Sequence, residues 1–454
     1  MRLTRMRLFG LALLAASVAA SAQQTTLLRN ATLVDGSGSA PQPHVDILMR
    51  NGEIASVTPT GTLHSAGRHG TTVDCTGRFI IPGLASAHTH LGVLINNTQP
   101  SVDAYTRENV TASLNQFERY GVTTVLSLGL NRDLVYTLRQ EQRDGKLGGA
   151  TILTAGRGIG VPNGAPPFKT ADDQVYRPTT PQQAREEVDT FAAHHADVVK
   201  VWVDTFYGSV PKMDPAIYAA VIDQAHKDKL RVVAHVYALN DAKKLVADGV
   251  DVLGHSVRDE PIDDALLAAM KQHGTWYIPT LALDEAFYLY ATEPELLKSP
   301  FLREAAGPEL LARFEAPDFA QKVLSSPSTK VHQHDEQQAR ANLKLVYDAG
   351  IPVAFGTDSG ATAGRIPGFS EHRELQDLVA SGLTPVQAIG IATGTTGKLM
   401  HELNPAIKVG LIQPGYSADL LVLKADPTVA ISNTEKMDAV YHHGRLIPNP
   451  PPSN

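Results

Sequence analysis

The chain has 454 residues, 43% hydrophobic and 19% charged, an ordinary globular composition with ample material for a large core. Its net charge of −7 excludes the basic excess that a nucleic-acid footprint needs. A lone cysteine, Cys75, excludes an intramolecular disulfide; in its strand-like stretch it reads as a small buried residue and not as a reactive thiol.

The N-terminus reads as a secretion signal. Arg2, Arg5 and Arg7 make a positive n-region, residues 8–20 are a short apolar run, and Ala20-Ser21-Ala22 is a small-x-small cleavage site. A spanning helix would need roughly 20 apolar residues, more than this run supplies. The expectation is a signal peptide over 1–22, cleaved after Ala22, and a periplasmic or secreted protein with no membrane anchor left. Cleavage removes three arginines and no acidic residue.

Residues 25–82 read as short strands and turns, with Asp35-Gly36 and Asn51-Gly52 as turn signals. The stretch from about 408 to 447 reads the same way, so the two ends are expected to pair into one small β-sandwich. Between them lie eight apolar runs: 81–90, 122–128, 151–155, 198–204, 232–236, 252–257, 276–281 and 351–358. Helical patterns separate most of them, such as 216–229 and 242–248. Short β-branched runs alternating with helices imply a parallel sheet covered on both faces. Eight of them suit a closed barrel. A doubly wound open sheet is the alternative, but no Gly-rich phosphate loop follows the first run. The expected fold class is therefore α/β, a (β/α)8 TIM-like barrel over 83–403. The β-sandwich takes its two parts from 23–82 and 404–447, and 448–454 is a Pro-rich, loose tail. The charged, mostly helical segment 284–338 exceeds one barrel helix and reads as an insertion near the active-site mouth.

Chemistry is concentrated at the ends of the apolar runs. His88 and His90 end the first, Lys200 interrupts Val198-Val199-Lys200-Val201-Trp202-Val203, and His235, His255 and Asp358 end three more. In a parallel barrel the C-terminal strand ends meet at one face, where active sites sit. Residues two apart on a strand point the same way, so His88 and His90 can reach one ion together. A single strand-end histidine is more often a hydrogen-bonded core residue than a ligand. Four of them, with an aspartate and a lysine on five different strands, are hard to explain as packing, because buried polar groups are costly unless paired or metal-bound. Imidazole and carboxylate suit Zn²⁺ and similar ions. Of the 17 histidines, His194, His195, His226, His332, His334 and His442 lie in helical or charged contexts and read as solvated. Lys200 is the discriminating residue: an ammonium is donor-only and repels metals.

These motifs resemble the amidohydrolase superfamily over nearly the whole mature chain. The resemblance rests on Ile81-Pro82-Gly83-Leu84 before His88-Thr89-His90, on Gly356-Thr357-Asp358, and on the closing stretch from Gly410 to Asp419. The branch looks like the imidazolonepropionase-related proteins that include Xaa-Pro dipeptidases, where the lysine of an Asp-x-x-Lys strand is carboxylated and bridges two metals. Asp197-Val198-Val199-Lys200 matches. The resemblance implies two divalent metal ions, Zn²⁺ being the expected one, and an N6-carboxylysine at Lys200. His88, His90 and Asp358 would hold one metal, His235 and His255 the other, and carboxylated Lys200 would bridge them. A metal-bridging hydroxide would attack the substrate carbonyl, and Asp358 would pass its proton to the leaving amine.

Mononuclear deaminases of the superfamily usually carry a glutamate shortly after the strand-five histidine. Here His235-Val236-Tyr237-Ala238-Leu239-Asn240-Asp241 has none. The absence favours hydrolysis of an amide or peptide C–N bond in a small carboxylate-bearing substrate, such as a dipeptide or an N-acyl amino acid. Tyr237 resembles a tyrosine that binds a substrate carboxylate, and Arg258 offers a second contact or else pairs with Asp259 or Asp204. His372 reads as a helix-start or supporting residue, not a ligand. A mononuclear deaminase or cyclic-amide hydrolase, a lactone or toxin-amide hydrolase, and a binding protein on a decayed barrel are the competing readings. The partner is a small molecule, with no nucleic acid; a homo-oligomer is left open.

Overall fold

The computed structural model describes residues 25–67 and 70–453; the expected signal peptide lies outside the described residues. In chain order the first strands are β1 (Thr25–Leu33), β2 (Gln42–Arg50), β3 (Glu53–Pro59), β4 (Thr71–Asp74), β5 (Phe79–Pro82) and β6 (Leu84–Thr89), followed by a small hairpin of β7 (Leu94–Ile95) and β8 (Gln99–Pro100). The middle of the chain supplies β9 (Val122–Ser127), β10 (Thr151–Thr154), β11 (Val199–Val203), β12 (Val232–Val236), β13 (Val252–Leu253) and β14 (Trp276–Tyr277), and the end β15 (Leu420–Leu423), β16 (Met437–His442) and β17 (Arg445–Ile447).

The two ends join through one hydrogen-bonded eight-stranded sheet, in the order β17-β16-β15-β5-β1-β2-β3 with β4 on β1. The reason is β5, which pairs in parallel with β1 and antiparallel with β15 and so fuses both ends into one ladder. The sheet folds over its own apolar face until Glu53 bridges Ser417. Leu28, Ile47, Ile80, Leu420 and Val422 fill the space inside, together with Cys75, whose thiol burial pushes up to about 11. The tail is docked as far as it is described: Arg119 donates to the Asn449 carbonyl at 2.8 Å, and Pro451 is buried.

The expected run 81–90 is cut at Gly83. A side chain there would lie 2.3 Å from Thr123 Oγ1, so only glycine lets the chain pass from β5 into β6. Beyond it, β6, β9 and β10 pair in parallel, as do β11 to β14. Parallel bridges link these two sheets at both seams: Ile159–Val201 joins the chain beyond β10 to β11, and Tyr277–Val353 and Thr89–Ser359 connect β14 to β6 through the segment 353–359. The last three runs are less regular than expected. Pro279 and Pro352 lack a donor, and Thr280 and Asp358 adopt left-handed backbone, with φ of 49° and 60°.

Alternation along the strands sorts the core. Val199, Val201 and Val203 of β11 and Val232, Ala234 and Val236 of β12 pack outward against the helices. Val198, Val233 and Ala354 face inward in a separate apolar cluster with Leu126 and Leu153. Lys200, His235 and Asp358 continue these inward rows toward the C-terminal ends. The covering helices begin on side chains that accept an otherwise orphaned N–H: Thr106 from Asn109, Thr180 from Gln183, Asp263 from Leu266. Among the described residues no helix is long and apolar enough to cross a membrane.

Candidate active site

The strand-end residues converge. His88, on β6, and His90, just past it, place their Nε2 atoms 3.2 and 2.9 Å from one oxygen, Asp358 Oδ1. The rings then run in a chain: His88 and His255 have centroids 4.4 Å apart, as do His255 and His235. Donor atoms of His88, His255 and Asp358 all lie within 4.8 Å of one another. Lys200 is wholly buried, and its Nζ has no hydrogen-bond partner. The Nδ1 atoms of His88 and His90 are likewise buried and unpartnered. Buried polar atoms left this way in a native fold require an explanation such as an ion. Four imidazoles and a carboxylate fit a Zn²⁺-class ion.

The electrostatics agree with neutral imidazoles around an ionised carboxylate. Burial, then the Lys200 charge, pushes His88 down to about 3, and burial lowers His255 well below the usual histidine range. Burial also pushes the Lys200 amine down to about 7, with Asp358 opposing. Burial raises Asp358, but Arg365, His88 and His90 outweigh it and hold the carboxyl well below its ordinary range. Arg365 bonds Asp358 Oδ2, leaving Oδ1 to the histidines. On the other side, His235 Nε2 meets Asp204 Oδ2 at 2.8 Å, and His255 Nδ1 meets Thr280 Oγ1 at 2.8 Å. The left-handed backbone at Asp358 and Thr280 turns both side chains toward the centre.

Above the ligand set opens a cavity of about 190 Å³, room for a small molecule only. Tyr237 and Arg258 line it, as the sequence suggests, but both are already engaged. Arg258 pairs with Asp284 at 3.1 Å, not with the neighbours expected, while its buried Nε has no partner. The Tyr237 hydroxyl donates to Asp335 at 3.3 Å. Asp284, Phe287, His332 and Asp335 belong to the helical insertion, which therefore sits at the mouth. His332 is not solvated: it bonds Asp284 at 2.8 Å and stacks on Phe287 with centroids 3.9 Å apart. His442 is not solvated either, being 2% exposed. His372 supports the helix Phe369–Ala380 away from the ligands, bonding Thr434 and the Tyr120 carbonyl.

The profile of the amidohydrolase family matches residues 79–447, most of the chain and every strand-end residue described above. The chain belongs to the amidohydrolase family. Imidazolonepropionase of Chromobacterium violaceum is 25% identical over 418 residues, covering 83% of this chain and 84% of that one. A Xaa-Pro dipeptidase crystallised with methionine in its active site shares the fold with a TM-score of 0.71 at 24% identity, over 93% of this chain and 99% of that one. A. niger ochratoxinase does so with a TM-score of 0.70 at 18% identity, over 94% and 96%.

In this amidohydrolase the sequence does not mark the residues that hold the candidate ligands in place. Glu371 is the foremost. Wholly buried, it accepts from Thr357 Oγ1 at 2.6 Å, Ser359 Oγ at 2.7 Å and the Gly368 N–H at 2.8 Å, clamping the chain on both sides of Asp358. Replacing Glu371 with alanine would orphan these donors, at about 1–3 kcal/mol for each buried group left unsatisfied. Thermal unfolding of Glu371→Ala is expected to show a clear loss of stability; an unchanged Tm would remove the clamp.

Proposed function

We propose that this amidohydrolase is a binuclear metal-dependent hydrolase, cleaving the amide or peptide C–N bond of a small carboxylate-bearing substrate such as a dipeptide or N-acyl amino acid. The observation that carries this reading is Lys200, buried without a hydrogen-bond partner yet close enough to His88, His235, His255 and Asp358 to exchange electrostatic influence with them. Carboxylation turns this stranded donor into a two-oxygen anion suited to bridging. His88, His90 and Asp358 would then hold one ion, and His235 and His255 the other, with a carboxylated Lys200 supplying further oxygen donors. The eight parallel segments close as a (β/α)8 barrel in this reading, supported by the three bridges that connect the two parallel sheets.

Bound divalent ions of the Zn²⁺ class would polarise the scissile carbonyl and make water nucleophilic near neutral pH. Asp358 accepts the water proton and returns it to the leaving nitrogen, while Arg365 fixes the carboxylate's orientation. Trp202, Phe206 and Phe287 exclude bulk water from the cavity. The Tyr237 hydroxyl, exchanging its long bond to Asp335, and the free Nε of Arg258 bind the substrate carboxylate. A hydrogen bond to a charged group contributes about 1.5–3 kcal/mol, so Tyr237→Phe should raise KM roughly tenfold or more with kcat little changed. An unchanged KM would take Tyr237 out of recognition.

Metal content per chain, measured together with intact mass under conditions that preserve a carbamate, tests the reading. Two strand-end metals and an added CO₂ on Lys200 support it, and a chelator should abolish activity until Zn²⁺ is restored. One strand-end metal and an unmodified lysine favour a mononuclear deaminase or cyclic-amide hydrolase, the reading to which the imidazolonepropionase relative lends support. A periplasmic or secreted location belongs to the same proposal, resting on the signal pattern of 1–22; detection of the mature chain, starting at Gln23, outside the cytoplasm tests it.

A further inference from the structure

A second ligand cluster lies away from the strand-end histidines, where the mixed sheet meets the parallel strands. Donor atoms of Asp419, His442 and His443 all lie within 4.8 Å of one another. Asp419 stands just before β15, and His442 and His443 at the end of β16. Asp419 is 3% exposed. Its Oδ1 accepts from Ser417 Oγ at 2.8 Å and from the His443 N–H at 2.8 Å, but its Oδ2 is buried and has no partner. A carboxyl oxygen shut away from water without a partner is costly unless a donor or a cation meets it.

His442 is arranged as a ligand. Its Nδ1 lies 2.6 Å from Glu118 Oε1, so Nδ1–H donates to the carboxylate and Nε2 is left as the acceptor nitrogen. A carboxylate behind an imidazole is the usual support of a metal-bound histidine. The remaining contacts are hydroxyls: Thr151 Oγ1 lies 3.1 Å from His442 Nε2 and 3.3 Å from His443 Nε2, and Ser417 Oγ lies 2.9 Å from His443 Nδ1. The stacked rings of His442 and His443 are 4.3 Å apart. His443 has a side chain 57% exposed, open to an ion arriving from solvent.

We propose that Asp419, His442 and His443 form a structural site for one Zn²⁺-class cation, oriented by Glu118. Two imidazoles and a carboxylate are a Zn²⁺ donor set, with Thr151 or water completing four-coordination. The site would pin the mixed sheet to β10 and to the helix Arg107–Arg119, and takes no part in hydrolysis.

The test counts zinc in the full mature chain after dialysis against Zn²⁺. A Lys200→Ala/Asp358→Asn double variant, with the strand-end site weakened, is expected to keep the zinc held here. Adding His443→Ala, a change at an exposed side chain, should lower its count by one. In the wild type, His443→Ala alone should lower the count by one. No zinc in the double variant, or the same count with and without His443, overturns the site. The outcome is separable from the proposed function. A wild-type chain holding one zinc that survives Lys200→Ala but not His443→Ala upholds this site and refutes the binuclear hydrolase.

Discussion

Lys200→Met is expected to abolish hydrolysis and at the same time make the metal-free protein more stable. Methionine has nearly the shape of the lysine stem and packs as an apolar side chain. In the native chain Lys200 Nζ is buried with no hydrogen-bond partner, meeting only the Trp202 ring at 5.6 Å, and a stranded donor costs about 1–3 kcal/mol, more when charged. Removing it should raise the urea midpoint of the metal-free protein accordingly. The same change deletes the group that can become a bridging anion between the two histidine pairs. Metal affinity should fall by more than the roughly 10–100-fold that loss of an outer-shell partner causes, and activity with it. A residue that lowers the stability of the apo fold and is indispensable to the loaded one is what a site, not a core, would contain. Full activity in Lys200→Met, or unchanged metal content, would falsify the bridging role.

Asp358→Asn is expected to be the other near-complete loss. The position has φ of 60°, which asparagine tolerates better than most residues, so the backbone should hold. Asparagine keeps a carbonyl oxygen toward His88 and His90 but cannot carry a proton between water and leaving group. General acid–base groups contribute about 10²–10⁴-fold, so kcat should drop by that order. The substitution also removes the charge that Arg365 bonds, leaving a guanidinium buried beside the cavity. Arg365→Met combined with Asp358→Asn should therefore recover part of the stability lost by Asp358→Asn alone, without recovering kcat. A double variant no more stable than the single one would show that the ion pair is not what Asp358 contributes to the fold.

Much of the site was legible because it obeys local rules. His88 and His90 are two apart on a strand, and His235, His255 and Asp358 each end an apolar run. A parallel arrangement then brings all strand ends to one face. The sequence put a domain boundary between 82 and 83 yet read 81–90 as one apolar run, and only the contact with Thr123 shows why the run must divide at Gly83. The solvated reading of His332 and His442 failed for a related reason. Both sit in polar sequence, yet Asp284 and Glu118, 48 and 324 residues away along the chain, draw them inside.

By itself the sequence determined the parallel α/β organisation, the six candidate ligands and the family, because period-two alternation and strand-end position are properties of neighbouring residues. Only the tertiary structure decided what holds those ligands and what surrounds the substrate. Glu371 reaches Ser86 across 285 positions, Arg365 occupies one oxygen of Asp358, and the insertion closes Arg258 onto Asp284. Such pairs form between segments whose spacing along the chain is unconstrained. Burial makes each partner obligatory without leaving any periodic trace in the sequence.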